Sequence, residues 1–134
     1  MLPELEIVLR LLLAVALGAV IGFQRERAKK AAGLRTHILI SLGAALFTIV
    51  SVFGFPGTVD VSRVAAGVVT GIGFIGAGVV IHGTRGEHVV GLTTAASIWI
   101  TAAVGLAAGA GIYIVAIAAA ILTLLVLLIP KVKG

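Results

Sequence analysis

The stretch "GIGFIGAG", Gly71 to Gly78, decides how this chain is read. Gly71, Gly73 and Gly76 spell G-x-G-x-x-G, the pattern of a loop that cradles a dinucleotide pyrophosphate. Such a loop needs a strand before it, a helix opening at the glycines and an acidic residue about 20 positions on. Here "RVAAGVVT" (63–70) continues straight into the glycines, and the apolar run does not stop until Ile81. Which reading holds depends on the solvent around that run.

Composition answers for the solvent. Of 134 residues, 60% are hydrophobic and only 11% charged, with a mean hydropathy of +1.27. A soluble domain is about 45–50% apolar and about 25% charged. The chain is therefore read as an integral membrane protein. An isolated strand cannot cross lipid with its backbone unpaired, and Glu87 lies beyond the end of the span. The nucleotide reading fails, and the glycines become part of a helix.

The same logic extends outward. A span needs roughly 20 apolar residues. The charges and breakers mark helix 1 at roughly Leu5–Phe23, helix 2 at Thr36–Phe53, helix 3 at Ser62–Ile81, helix 4 at Leu92–Ala108 and helix 5 at Ile112–Ile129. Five helices leave no room for a soluble domain. The start carries Glu4 and Glu6 rather than a basic region, so it reads as a retained span and not a secretory signal. There is no cysteine, hence no disulfide or thiolate chemistry. The net charge of +5 points to no nucleic acid: Arg25, Arg27, Lys29, Lys30, Arg35, Arg85, Lys131 and Lys133 fall on one side of the membrane. Only Arg63 and Arg10 fall on the other, which places the N-terminus outside and the C-terminus in the cytoplasm.

A repeat is visible at an offset of 58. Residues 18–45 align with 76–103, with nine of 28 positions identical, among them Gly33/Gly91, Leu34/Leu92 and Thr36/Thr94. Helices 1–2 and 3–4 would then form a parallel repeat about an axis along the membrane normal.

For the glycines two readings stay open. Gly67, Gly71, Gly73, Gly76 and Gly78 suit close helix packing, because small residues let backbones approach in lipid. That makes helix 3 the expected central helix. The alternative is a broken helix whose freed carbonyls line an ion path.

The polar residues also carry two readings each. Arg10 is the one charge well inside a span, placed to snorkel and to pair with Glu6. No carboxylate lies near a helix centre, so an acidic Mg²⁺ site within one span bundle is not available, leaving carbonyls and hydroxyls. At the cytoplasmic rim, Thr36 and Thr94 are placed as helix N-caps. There, Glu26, Arg35 and His37 are candidates for a charge network that binds a partner, an ion or lipid headgroups, loosely mirrored by Arg85 and Glu87. Asp60 and Arg63 read as an N-cap with a local ion pair. Thr94, Ser97 and Thr101 form a hydroxyl stripe that either bonds neighbouring backbone and helices or lines a pore. Trp99, deep in helix 4, reads as core. His37, His82 and His88 lie near the cytoplasmic surface, where they suit a pH sensor. No catalytic constellation is present, so no enzyme is expected.

With these residues in view, the chain resembles the MgtC/SapB family of bacterial inner-membrane proteins. The resemblance rests on "GAVIGFQRE" (18–26), "AGLRTHILISLGAALF" (32–47), "DVSRVAAGVVTGIGFIGAGVVI" (60–81) and "VGLTTAASIWITAAVGLAAGAGIYIVA" (90–116). It implies an all-α module of five transmembrane helices tied to magnesium limitation, acid stress and, in pathogens, virulence. It implies a regulator acting through membrane partners, including the proton-translocating ATP synthase. No cofactor is expected, and Mg²⁺ stays a candidate ion. Many members add a soluble domain after the fifth helix. The family's polar signature falls on Glu26, Arg35, Thr36, His37, Asp60, Arg63, Thr93 and Thr94, to which the residues themselves add Ser97. A regulatory protein, a small transporter with a path along helix 3 carbonyls and helix 4 hydroxyls, and an acidity or lipid sensor are the three expectations. A homo-oligomer, most simply a dimer, fits the glycine-rich faces.

Overall fold

The computed structural model describes residues 3–83 and 91–130. Every regular element among them is a helix: α1 (Pro3–Arg27), α2 (Leu34–Phe53), α3 (Ser62–Gly83), α4 (Leu92–Gly109) and α5 (Tyr113–Leu127). The first four are long and apolar enough to cross a membrane. The fifth, at 15 residues, is shorter than the span expected of it. Ile112 is taken up as its N-cap, and Leu128 and Ile129 close in turns before Pro130.

α1 starts earlier and ends later than its apolar stretch. Glu4 and Glu6 sit in its first turn and Arg25 and Arg27 in its last, which suits the helix dipole at both ends. It then stops in a Schellman turn: Lys30 N–H bonds Arg25 O at 3.1 Å and Lys29 N–H bonds Glu26 O at 3.0 Å. Lys29 takes the left-handed position at φ +56°, a place glycine usually holds. α4 ends in the same way, through Ile112 N–H to Ala107 O and Gly111 N–H to Ala108 O, with Gly111 at φ +83°.

α2 and α4 begin at Leu34 and Leu92, each behind an N-cap glycine, Gly33 or Gly91, that has no side-chain cap bond. Thr36 and Thr94 are thus not the caps; they lie one turn inside. The cap of α2 comes from α1, where Glu26 Oε1 accepts the Leu34 N–H at 3.0 Å. A Cβ on Gly33 would overlap that carboxylate. The two starts are 58 residues apart, the offset of the aligned segments.

The arrangement of the helices departs from the sequence expectation. α4 is the central helix: it touches α1, α2, α3 and α5, and nine of its 18 residues are buried. α3 is peripheral. It meets α4 and, at fewer points, α2, and among its described side chains only Ile72 and Gly76 are buried. A Cβ on Gly67, Gly71, Gly73 or Gly78 would meet nothing within 4 Å; on Gly76 it would meet Ala95 at 3.5 Å. Apart from Gly76, these glycines do not pack the chain against itself. Nor is α3 broken, since it runs as one helix from Ser62 to Gly83.

The close packing is made elsewhere. A Cβ on Gly18 would stand 2.8 Å from His37 O and Ser41 Cβ, and one on Gly22 2.9 Å from His37 Cβ and Leu34 Cα. On the other side of α2, a Cβ on Gly105 would stand 2.7 Å from Ser41 Cα, and one on Gly109 2.6 Å from Ala45 O. Two glycine pairs, each spaced by four, therefore hold α2 between α1 and α4, the small-xxx-small mode of membrane helices. Alanines fill the rest: Ala14, Ala45, Ala108, Ala116 and Ala120 are buried together with Leu17, Ile21 and Val104.

The end where α1 starts is closed by Arg10. It pairs with Glu6 as expected, and it also donates to Gly109 O at 3.0 Å and to Tyr113 Oη at 3.1 Å. Its guanidinium lies over the rings of Phe53 and Tyr113. One side chain thus ties α1 to the α2 end and the α4–α5 turn.

Candidate functional site

At the opposite end, polar side chains from α1, α2 and α4 converge inside the bundle. The close approach of α2 to both neighbours sets their spacing. His37 is fully enclosed: its Nδ1 lies 2.8 Å from Gly33 O and its Nε2 2.9 Å from Ser97 Oγ. Ser97 Oγ is also 2.7 Å from Thr94 O. Thr94 Oγ1 accepts a hydrogen bond from Arg25 Nη2 at 2.8 Å. Arg25 is only 3% exposed. One linked set thus runs from α2 through α4 to α1.

The chemistry of these atoms restricts the protons. A carbonyl only accepts, so His37 Nδ1 carries hydrogen toward Gly33 O. Ser97 has one hydroxyl hydrogen and two claimants. When His37 is neutral, Nε2 accepts that hydrogen. When the imidazole is protonated, Nε2–H donates to Ser97 Oγ, and the hydroxyl turns to Thr94 O. A single proton on His37 therefore redirects a buried bond on α4.

The other hydroxyls are bonded as well. Thr101 Oγ1 donates to Ser97 O at 2.7 Å, and Ser41 Oγ to Ala14 O at 2.7 Å. Of the two readings of the α4 stripe, bonding to backbone and neighbouring helices is the one seen. The hydroxyls face α1 and α2, whereas Ala95 and Ala102 face α3.

The remaining expected residues separate. Glu26 caps α2, Arg35 is exposed and His37 points inward, so the three do not form a charge network. Thr36 is half-buried and Thr93 exposed. Asp60 Oδ1 accepts from Ser62 N–H at 3.0 Å and Ser62 Oγ at 2.6 Å, and these bonds hold its carboxyl below the usual carboxylate range. Arg63 N–H reaches Asp60 O, but no ion pair joins the two side chains. Trp99 is 56% exposed, on the side of α4 toward α5, and is not core. Among the described residues no group of three His, Asp or Glu is placed to hold a metal ion. Arg85, Glu87, His88, Lys131 and Lys133 lie outside the described residues, as does the side chain of His82.

Sequence reasoning missed Arg25 and the two glycine pairs. Arg25 sits in a run of basic residues and reads there as one more loop cation. Its signal is helical register: it lies seven residues after Gly18, on the same face. The pairs Gly18/Gly22 and Gly105/Gly109 carry a plain i, i+4 spacing, overshadowed by the denser run on α3.

Comparison with known proteins agrees with this architecture. The profile of the MgtC family matches residues 11–133. The "Putative magnesium transporter YhiD" of Escherichia coli K12 is 50% identical over 129 residues, covering 91% of this chain and 59% of its own. Protein SrpB of Synechococcus elongatus is 41% identical, covering 88% of this chain and 71% of its own. Protein MgtC of Salmonella typhimurium is 44% identical over 117 residues, covering 87% of this chain and 49% of its own. The chain thus spans only about half to two thirds of the length of several relatives. No solved structure matches it. The sequence match and the helical architecture agree: the chain belongs to the MgtC family.

Proposed function

We propose that this multi-pass membrane protein is a regulatory or interaction module of magnesium and acid-stress physiology in the bacterial inner membrane. It acts by contact with other membrane proteins rather than by moving ions itself. The observation that carries this reading is the linked set His37–Ser97–Thr94–Arg25. Its polar groups bond to one another across three helices. It also contains one group whose bonding pattern changes with a proton. The magnesium link is supported by family membership and by the relatives' names. The partner class, for which the family suggests the proton-translocating ATP synthase, and self-association as a dimer belong to the same proposal.

The test is a flux assay with the purified chain in liposomes. The regulatory reading predicts no Mg²⁺ or H⁺ flux above that of empty vesicles, together with a pH-dependent spectroscopic change that His37→Gln removes. Robust Mg²⁺ uptake would defeat it. A second reading, a small transporter or channel subunit, is favoured by the name of the YhiD relative. Uptake in the same assay would establish it.

A further inference from the structure

The end of the bundle where α1 closes and α4 opens holds a cavity of about 600 Å³. Arg25, Lys29, Lys30, Thr93 and Thr94 form its polar side, and the end of α5 forms an apolar wall. No carboxylate among the described residues lines it.

Arg25 is the unusual member. Its guanidinium is enclosed, yet among the described residues its one hydrogen bond goes to Thr94, a neutral hydroxyl. Its Nε has no partner among the described residues. A guanidinium carries five N–H donors, and a charge taken out of water is costly unless it is paired. Among the described residues, Arg25 is therefore an enclosed cation without a counter-charge. The start of α4 adds to the deficit. Its N-cap, Gly91, offers no side chain to the free N–H groups, and Gly91, Thr93 and Thr94 all line the cavity. Helix N-termini with free N–H groups favour anions. Lys29 and Lys30 bring two further positive charges. Gln24 Oε1, also enclosed and without a partner among the described residues, is an acceptor at the same place.

We infer that this cavity binds a phosphate group. Three cationic side chains and a helix N-terminus suit a ligand with several anionic oxygens, whereas a single carboxylate meets fewer of them. Arg25 binds through Nε and its unused Nη hydrogens, the α4 N-terminus through its N–H groups, and Lys29 and Lys30 through charge. Gln24 accepts from a hydroxyl on the ligand. The apolar wall on α5 gives a lipid tail somewhere to lie, so the phosphate comes either from an anionic lipid headgroup or from a soluble ion. This inference does not depend on the regulatory reading.

The test uses the whole chain, in mild detergent with inorganic phosphate, and in nanodiscs of phosphatidylcholine with or without phosphatidylglycerol. The unfolding midpoint and retained lipid are read. The key variant is Lys29→Gly with Lys30→Gln. It removes two charges while relieving the left-handed backbone at residue 29, so its midpoint without ligand equals or exceeds the parent's. Phosphate or phosphatidylglycerol is expected to raise the parent's midpoint, with affinity at least about tenfold weaker in the double variant. A response to inorganic phosphate identifies a soluble source; a response to phosphatidylglycerol alone identifies a headgroup. No response to either, or one undiminished in the double variant, overturns the inference. So does a double-mutant cycle of Arg25→Met with Glu87→Gln that couples the two side chains.

Discussion

Replacing Gly105 by alanine tests the packing most directly. A Cβ there stands 2.7 Å from Ser41 Cα and 2.8 Å from Ser41 C, and nearer still to the Ser41 carbonyl oxygen. Carbon atoms rest at about 3.5–4.0 Å, so α2 must retreat by roughly 1 Å. It cannot retreat freely, because Ser41 Cβ lies 2.8 Å from where a Gly18 Cβ would be, and Ser41 Oγ is bonded to Ala14 O. Overpacking of this kind costs about 1–3 kcal/mol, and the trapped position of α2 argues for the upper half of that range. Since 1.4 kcal/mol is tenfold, about 3 kcal/mol lowers the folding constant roughly 100-fold. Gly67→Ala is the control. Its Cβ meets nothing, so the change is neutral or gains up to about 1 kcal/mol in helix propensity. Both variants are unfolded by denaturing detergent titrated into mild micelles and followed by circular dichroism. If Gly67→Ala destabilises the monomer while Gly105→Ala does not, α3 is the packing helix after all and the reasoning fails.

Further outcomes follow from single contacts. Ser97→Ala leaves the enclosed His37 Nε2 without a partner and is expected to cost about 1–3 kcal/mol, whereas Thr93→Ala, on the exposed side, stays within about 0.5 kcal/mol in the same titration. Arg10→Met unties Gly109 O and Tyr113 Oη and should cost about 1–2 kcal/mol; loss of protection at the amides of the α4–α5 turn on hydrogen exchange locates the damage. Asp60 gives a pH dependence. Its folded carboxyl titrates below the ordinary value of about 3.9, so the contribution is present above that pH and is lost as pH falls through the lower, folded value. Amide exchange at Ser62 should accelerate over that acid range, and in Asp60→Asn this acid-dependent step should be absent.

How much of this was legible depends on distance along the chain. Hydropathy and turn chemistry act over a few residues. Five helices, the turns at Pro56–Gly57 and Gly109–Gly111, and the Glu6–Arg10 pair follow from neighbours in sequence. The site depends on pairs 60 and 69 residues apart, His37 with Ser97 and Arg25 with Thr94. Composition does not distinguish Arg25 from Arg27; register with Gly18 does, but only once Gly18 is seen to face α2, and one is enclosed while the other is exposed.

By itself, then, the sequence determined the solvent, the number of helices and the family, because these rest on composition, period and the order of motifs along the chain. The tertiary structure alone decided that α4 and not α3 is central, and which glycines are in contact. A small residue permits close approach without demanding it, and in lipid an unpacked glycine face carries little penalty. Density of glycine therefore marks where helices can meet. Only the placement of Ser41 between Gly18 and Gly105 shows where they do.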